Sequence, residues 1–160
     1  VGPYLNGTSS VSLDSKGRLA VPTRYREKLV ADCDGDLVFT LDRNAGLLLF
    51  PLPAFREFER ELMELKASQQ ASLMRRLYLG MAAEVKMDTN GRVLIPNVLR
   101  ERAGLKAKGE RIAMVGQGHK FEIWSDTAWN VFLDQAIDQL ADMEIGGPDA
   151  GADLANLTML

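Results

Sequence analysis

The chain has 160 residues, 46% hydrophobic and 26% charged, which is ordinary globular composition; at that length roughly 70% of the unfolded surface can be buried without a metal or disulfide staple. Cys33 alone excludes an internal disulfide or a cysteine zinc cluster, His119 alone excludes a histidine metal site, and no apolar run approaches the ~18 residues of a membrane span, so a soluble cytoplasmic protein without metal or cofactor is expected. The net charge of −3 hides two basic islands, five basic against two acidic side chains over residues 1–30 and seven against three over residues 86–111, whereas residues 112–160 carry one against eight. Segregation of this kind points to a polyanion partner.

In chain order, Val11-Ser-Leu13 alternates as a short strand and Arg18-Leu-Ala-Val21 as a second. Between them, Asp14-Ser-Lys-Gly17 has the leading Asp and closing Gly of a type I turn with a left-handed glycine. Pro22 ends the strand because it has no N–H for a ladder, and Thr23 is read as the N-cap of a short helix over residues 24–31. Strands over 37–41 and 47–50 flank the turn Asp42-Arg-Asn-Ala-Gly46. Phe55, Phe58, Leu62 and Leu65 fall at the i, i+3, i+7, i+10 spacing of an amphipathic helix, and a linker helix with Leu73, Met74, Leu77 and Tyr78 follows.

The same segment then returns. Asp14-Ser-Lys-Gly-Arg-Leu-Ala-Val-Pro-Thr-Arg-Tyr-Arg-Glu27 aligns with Asp88-Thr-Asn-Gly-Arg-Val-Leu-Ile-Pro-Asn-Val-Leu-Arg-Glu101 with six identities in fourteen positions at an offset of 74. The offset continues without gaps to Leu49-Phe50 against Ile123-Trp124 and Phe55 against Trp129. The second unit therefore has Asn97 as N-cap of a helix over 98–103, Gly104 as its C-cap, strands over 111–115 and 120–124, and a terminal helix with Trp129, Phe132, Leu133, Ala136, Ile137 and Leu140 on one stripe. Beyond Ile145 the chain turns Gly, Pro, Asp and Ala rich. The organisation predicted is a first repeat over 7–66, a linker over 67–80, a second repeat over 81–143 and a flexible tail over 144–160. A unit of about 50 residues buries too little apolar surface alone, so the two copies are expected to share one core as a pseudo-twofold α+β sheet or barrel, flanked by the helices.

The candidate functional residues lie in the paired hairpins. Asp14 and Asp88 suit turn formation by accepting backbone N–H bonds. Arg18 and Arg92 either pair with those aspartates, an exposed interaction worth at most about 1 kcal/mol, or reach a phosphate or base edge with the guanidinium fork. Lys16, Arg24, Arg26 and Lys28 add charge beside the first hairpin, and Arg100, Arg102, Lys106 and Lys108 beside the second. Catalysis is poorly served: His119 sits in a glycine-flanked turn without a nucleophile, and Cys33 lies between Asp32 and Asp34, which raises a thiol pKa. Asp32, Asp34 and Asp36 lack the spacing of a calcium loop and read as an acidic turn.

The paired Asp-x-x-Gly-Arg segments, each followed by apolar residues, Pro and Arg, together with Leu47-Leu-Leu-Phe-Pro-Leu-Pro53 and Val115-Gly-Gln-Gly-His-Lys-Phe-Glu-Ile-Trp124, resemble the bacterial MraZ proteins over roughly residues 7–140. These belong to the group sharing the AbrB-type swapped-hairpin DNA-binding fold. The resemblance implies a nucleoid-associated transcriptional regulator that binds short direct repeats of double-stranded DNA in the promoter of the division and cell-wall gene cluster, as a ring-like homo-oligomer. It carries the DNA-contacting signature onto Asp14, Lys16 and Arg18 and onto Asp88 and Arg92, with Arg24 and Arg26 beside them. At its start the chain departs from the family, with Leu5 where a Phe usually stands. The competing reading is a protein-interaction scaffold or antitoxin-like adaptor that uses the two amphipathic helices; a hydrolase with Asp14 or Asp88 as base lacks a partnered nucleophile.

Overall fold

The two repeats exchange strands. In a computed structural model that describes residues 4–44, 46–105, 109–147, 153–154 and 157, the first repeat forms β1 (Leu5–Ser12), β2 (Arg18–Ala20), α1 (Thr23–Cys33), β3 (Asp36–Leu41), β4 (Leu47–Pro51) and α2 (Leu52–Glu64). A connector, α3 (Gln69–Met74), runs into a π-helical turn, Arg75–Leu79. The second repeat forms β5 (Ala83–Lys86), β6 (Arg92–Leu94), α4 (Asn97–Arg102), β7 (Arg111–Gly118), β8 (Phe121–Ser125) and α5 (Asp126–Asp142). One sheet has the order β1-β7-β8-β4-β3-β5 and a separate ribbon pairs β2 with β6. The first strand of each repeat thus pairs with a later strand of the other: β1 with β7 and β5 with β3.

The registers define a pseudo-dyad. In the ribbon Arg18 faces Leu94, Leu19 faces Val93 and Ala20 faces Arg92, while at the sheet centre Leu47, Leu48 and Leu49 face Ile123, Glu122 and Phe121. Both pairings are symmetric about residues related by the offset of 74. The intervening strands are not. Val11 faces Ile112 where Val85 faces Leu37, so β3 and β7 correspond at an offset of 75, and the ungapped alignment fails there. Alternation demands the shift: Leu37 and Phe39 share the core with Ile112 and Met114, whereas the ungapped offset would match Leu37 with exposed Arg111.

The sheet does not close into a barrel. β1 and β5 lie at its opposite edges, and side chains of α1 cover part of the β1 edge. Tyr25 Oη donates to the Asn6 carbonyl, a backbone group of the edge strand, and Arg24 Nη2 donates to the Ser9 Oγ side chain on the same strand at 2.7 Å.

Central strands β3 and β4 are buried on both faces. On one side Leu37, Phe39, Leu47 and Leu49 join Leu19, Tyr25, Leu29, Val93, Ile95, Leu99, Ile112 and Phe121. On the other, Val38, Leu48 and Phe50 meet Phe55 and Leu62 of α2 and Tyr78 of the π turn, with Phe58 packed on this cluster. The i, i+3, i+7 spacing of α2 therefore marks the face laid on β3 and β4, while Leu65 lies past the helix end and is exposed. α5 holds no buried residue, although its stripe has the same period; Trp129 and Phe132 stack on one another at 5.9 Å. Periodicity identifies an apolar face but not what covers it. The chain divides into units over residues 1–126 and 127–160.

Neither expected N-cap forms. Thr23 and Asn97 open their helices, and the cap positions are Pro22 and Pro96, both at φ −55° and ψ 140°, with no side-chain cap bond. Proline fixes its own φ, so it sets the bend from strand into helix without a polar cap. Gly104 does follow α4 in the left-handed region, at φ +73°. Its N–H donates to Glu101 O at 3.1 Å and that of Leu105 to Arg100 O at 3.0 Å, the paired bonds of a Schellman end. Lys106, Lys108 and residues 148–152, 155–156 and 158–160 of the tail lie outside the described residues.

Candidate nucleic-acid interface

Each hairpin turn is built by its aspartate. Asp14 Oδ1 accepts from the N–H groups of Lys16 and Arg18, both at 2.9 Å, and Asp88 Oδ1 accepts from those of Asn90 and Arg92, also at 2.9 Å. The backbone closes the same loop twice: Gly17 N–H donates to Asp14 O at 3.1 Å and Gly91 N–H to Asp88 O at 3.0 Å. Donors aimed at a carboxylate favour its charged form. The Arg18 N–H first, then the Arg18 side chain and the Lys16 N–H, hold the Asp14 carboxyl down at about 2. Asp88 is lowered chiefly by the Arg92 N–H, with contributions from Asn90 and from the charge of Arg18 across the dyad.

The two arginines share a face. Leu19 and Val93 are buried at the centre of the β2–β6 ribbon, so alternation sends Arg18, Ala20, Arg92 and Leu94 to its outer side. Arg18 and Arg92 occupy diagonal positions there, about 7–8 Å apart in a regular antiparallel pair. They differ in restraint. Arg18 Nε donates to Asp14 Oδ2 at 2.7 Å with each side chain 31% exposed. Among the described residues, the Arg92 guanidinium makes no ion pair. Lys16 is exposed at the tip of the first turn, where Asn90 stands in the second.

The remaining candidates sit differently. Arg24 is exposed but lies along β1, bonded to Ser9 and with its guanidinium 4.7 Å from the Tyr25 ring centroid. Arg26 is half-buried, its Nε donating to Val21 O at 2.7 Å, and it packs beneath the turn of the opposite repeat. A Cβ built on Gly91 would come within 2.5 Å of Arg26 Cδ and Cζ. Arg100 reciprocates, since a Cβ on Gly17 would lie 2.7 Å from its Cζ and Nη1. The sequence displayed both residues among the six repeated identities, but nothing in it told that each reaches into the other repeat. Arg75, by contrast, caps α2, donating to Leu62 O at 2.9 Å and Leu65 O at 2.7 Å.

Outside the hairpins, chemistry is sparse. His119 is exposed in the β7–β8 turn beside Tyr4. The Cys33 thiol is pushed up first by burial, with Asp32 and Asp36 adding to it, and it donates to Leu29 O at 3.2 Å. Asp34 and Asp36 both pair with Lys86 of β5, at 3.1 and 3.2 Å, tying the repeats together. Among the described residues no group of three metal-ligating side chains converges, and no helix is long and apolar enough to cross a membrane.

An antiparallel sheet woven from two copies of one α+β unit, presenting arginines from a paired ribbon, defines a duplicated, strand-exchanged class of protein. The family described as "MraZ protein, putative antitoxin-like" matches residues 4–76 and 78–144. The chain is 45% identical over 149 residues to the transcriptional regulator MraZ of Methylococcus capsulatus (strain Bath), an alignment covering 91% of this chain and 96% of that protein. It is 45% identical over 141 residues to the same-named protein of Colwellia psychrerythraea, with 87% and 91% covered. With that of Tolumonas auensis it shares 44% over 142 residues, with 88% and 91% covered. The chain belongs to the MraZ family; it is a transcription regulator and not an enzyme.

Proposed function

We propose that the chain regulates transcription by binding double-stranded DNA in a sequence-specific manner through the β2–β6 ribbon. The carrying observation is the shared outer face of Arg18 and Arg92, with Lys16 at the adjoining tip. A two-stranded ribbon matches the width of a major groove, where an arginine fork binds guanine O6 and N7. Asp14 and Asp88 hold the reading turns, Arg24 flanks them, and Arg26 supports the interface from beneath. The strand exchange between repeats is, in this reading, an AbrB-type swapped hairpin.

Three or four cations on one subunit bind weakly and with little choice. Short direct repeats in the promoter of the division and cell-wall gene cluster, met by a ring-like homo-oligomer, would convert weak single contacts into avidity. A cytoplasmic, nucleoid-associated location goes with this role. The acidic stretch over residues 112–160 would then face away from DNA or meet a neighbouring subunit.

Fluorescence anisotropy tests the reading with DNA from upstream of the protein's own gene cluster against scrambled DNA, over a salt series. Tighter binding to the native DNA that weakens in Arg18→Ala and Arg92→Ala supports it. Equal, weak binding to both DNAs, unchanged by either substitution, sinks it in favour of the antitoxin-like interaction scaffold.

A further inference from the structure

Contacts between the repeats at the two turns cross. Val21 N–H donates to Gly91 O at 2.8 Å, and Ile95 N–H donates to Gly17 O at 3.1 Å. Each bond runs from the end of one repeat's ribbon strand to the turn glycine of the other. Over each glycine lies the arginine of the opposite helix: Arg26 of α1 over Gly91, and Arg100 of α4 over Gly17. The two sites are related by the repeat offset, so the same device is built twice.

We infer that Arg26 and Arg100 are positioning residues, each locking its own helix under the opposite repeat's turn, so that the two hairpins move as one body. Arg26 then acts on DNA only through the Asp88–Arg92 turn that it supports, and not as a phosphate contact. The locking follows from the geometry alone; its use in reading DNA rests on the function proposed above.

Chemistry explains why arginine is used. Its planar group fits where a glycine leaves no Cβ, and in Arg26 the Nε–H also reaches a carbonyl; lysine offers only a point charge on a flexible stem. The two locks are unequal. Arg26 Nε donates to Val21 O at 2.7 Å, whereas Arg100 Nε is buried without a partner among the described residues and its Nη2 donates to Asn97 Oδ1. The Asp88–Arg92 turn is therefore held more firmly from beneath than the Asp14–Arg18 turn.

Amide hydrogen exchange on the full chain tests this in Arg26→Gln, Arg26→Lys and Arg100→Gln. Arg26→Gln should speed exchange of the Asn90, Gly91 and Arg92 amides by about tenfold or more, while the Lys16, Gly17 and Arg18 amides stay within about twofold. Arg100→Gln should give the mirror pattern with a smaller amplitude. Arg26→Lys keeps the charge but lacks the Nε–H, and should not restore protection. Loosening of a variant's own turn, loosening of both turns alike, or full rescue by lysine overturns the inference. A parallel salt series on promoter DNA adds a readout that positioning leaves unmoved: Arg26→Gln should keep the wild-type salt slope, whereas loss of a phosphate contact would reduce the slope by about 0.9 and overturn the positioning role. Should native and scrambled DNA bind equally weakly, unchanged by Arg18→Ala or Arg92→Ala, the DNA reading fails, and the crossed exchange pattern still decides whether the locks exist.

Discussion

Leu19 and Val93 stand directly opposite one another at the centre of the ribbon, at 0% and 1% exposure, on the axis that relates the two repeats. This apolar pair buries the inner face of the ribbon whose outer face carries the arginines. Truncating Leu19 to alanine leaves a cavity between two strands of three residues each, and should cost about 2–5 kcal/mol. Leu94→Ala, the residue next to Val93 but on the opposite face and 51% exposed, should stay within about 0.5 kcal/mol. Urea denaturation of both variants checks the contrast; similar losses would mean that Leu94 is covered in solution.

Glycines of similar backbone angle should respond differently to alanine. Gly104 at φ +73° has nothing within 4 Å of an added Cβ, so Gly104→Ala pays only left-handed strain, about 1–2 kcal/mol. Gly91 at φ +77° carries the same strain and also the Arg26 stem. Gly91→Ala should exceed the loss at Gly104, and pairing it with Arg26→Ala should return part of the difference. Denaturation midpoints of the two single variants and the double variant measure that coupling.

Much of this was legible in the chain because the duplication repeats its special residues. The Asp, Gly, Arg and Pro of each hairpin have local jobs, so their spacing identifies the turn and the ribbon face wherever they occur. Pairing partners have no such local signature: Val11-Ser-Leu13 reads as a strand without revealing that it joins β7 rather than a strand of its own repeat. The one-residue slip that makes Leu37 correspond to Ile112 is invisible to an alignment anchored on the hairpins, because only packing of alternate side chains exposes it. Arg26 illustrates the same gap at the site. Its repetition marked it as important, and its charge suggested DNA, but its place beneath Gly91 depends on a fold in which the repeats interlock.

Acid should act on the hairpins in a defined window. Asp14 titrates at about 2 against an ordinary 3.8, and Asp88 is also lowered. A carboxyl whose folded pKa lies below its unfolded value contributes stability that is complete above the unfolded pKa and is withdrawn as pH falls through the folded one. Wild type should therefore keep a constant melting-temperature advantage over Asp14→Asn/Asp88→Asn above about pH 5, and lose it between about pH 4 and pH 2. Thermal melts across that range check the sign. An advantage that grows on acidification would rule out the turn carboxylates as its source.

Unequal restraint of the two reading arginines should appear as unequal dependence on their aspartates. Arg18 is oriented by its 2.7 Å bond to Asp14 Oδ2, which leaves both Nη groups for a base or phosphate and lowers the freedom lost on binding. Removing either guanidinium should cost about 1–3 kcal/mol of specific affinity if each meets a base edge. The aspartates separate them. Asp14→Asn keeps an acceptor for the Lys16 and Arg18 N–H groups but loses the charged partner of Nε, so native DNA should bind several-fold more weakly while scrambled DNA is unaffected. Asp88→Asn removes no ion pair from Arg92 and should change specificity less. Anisotropy titrations of both variants against native and scrambled DNA measure the ratio directly, and equal losses of specificity would show that Arg92 is oriented by its aspartate to the same degree once DNA is bound.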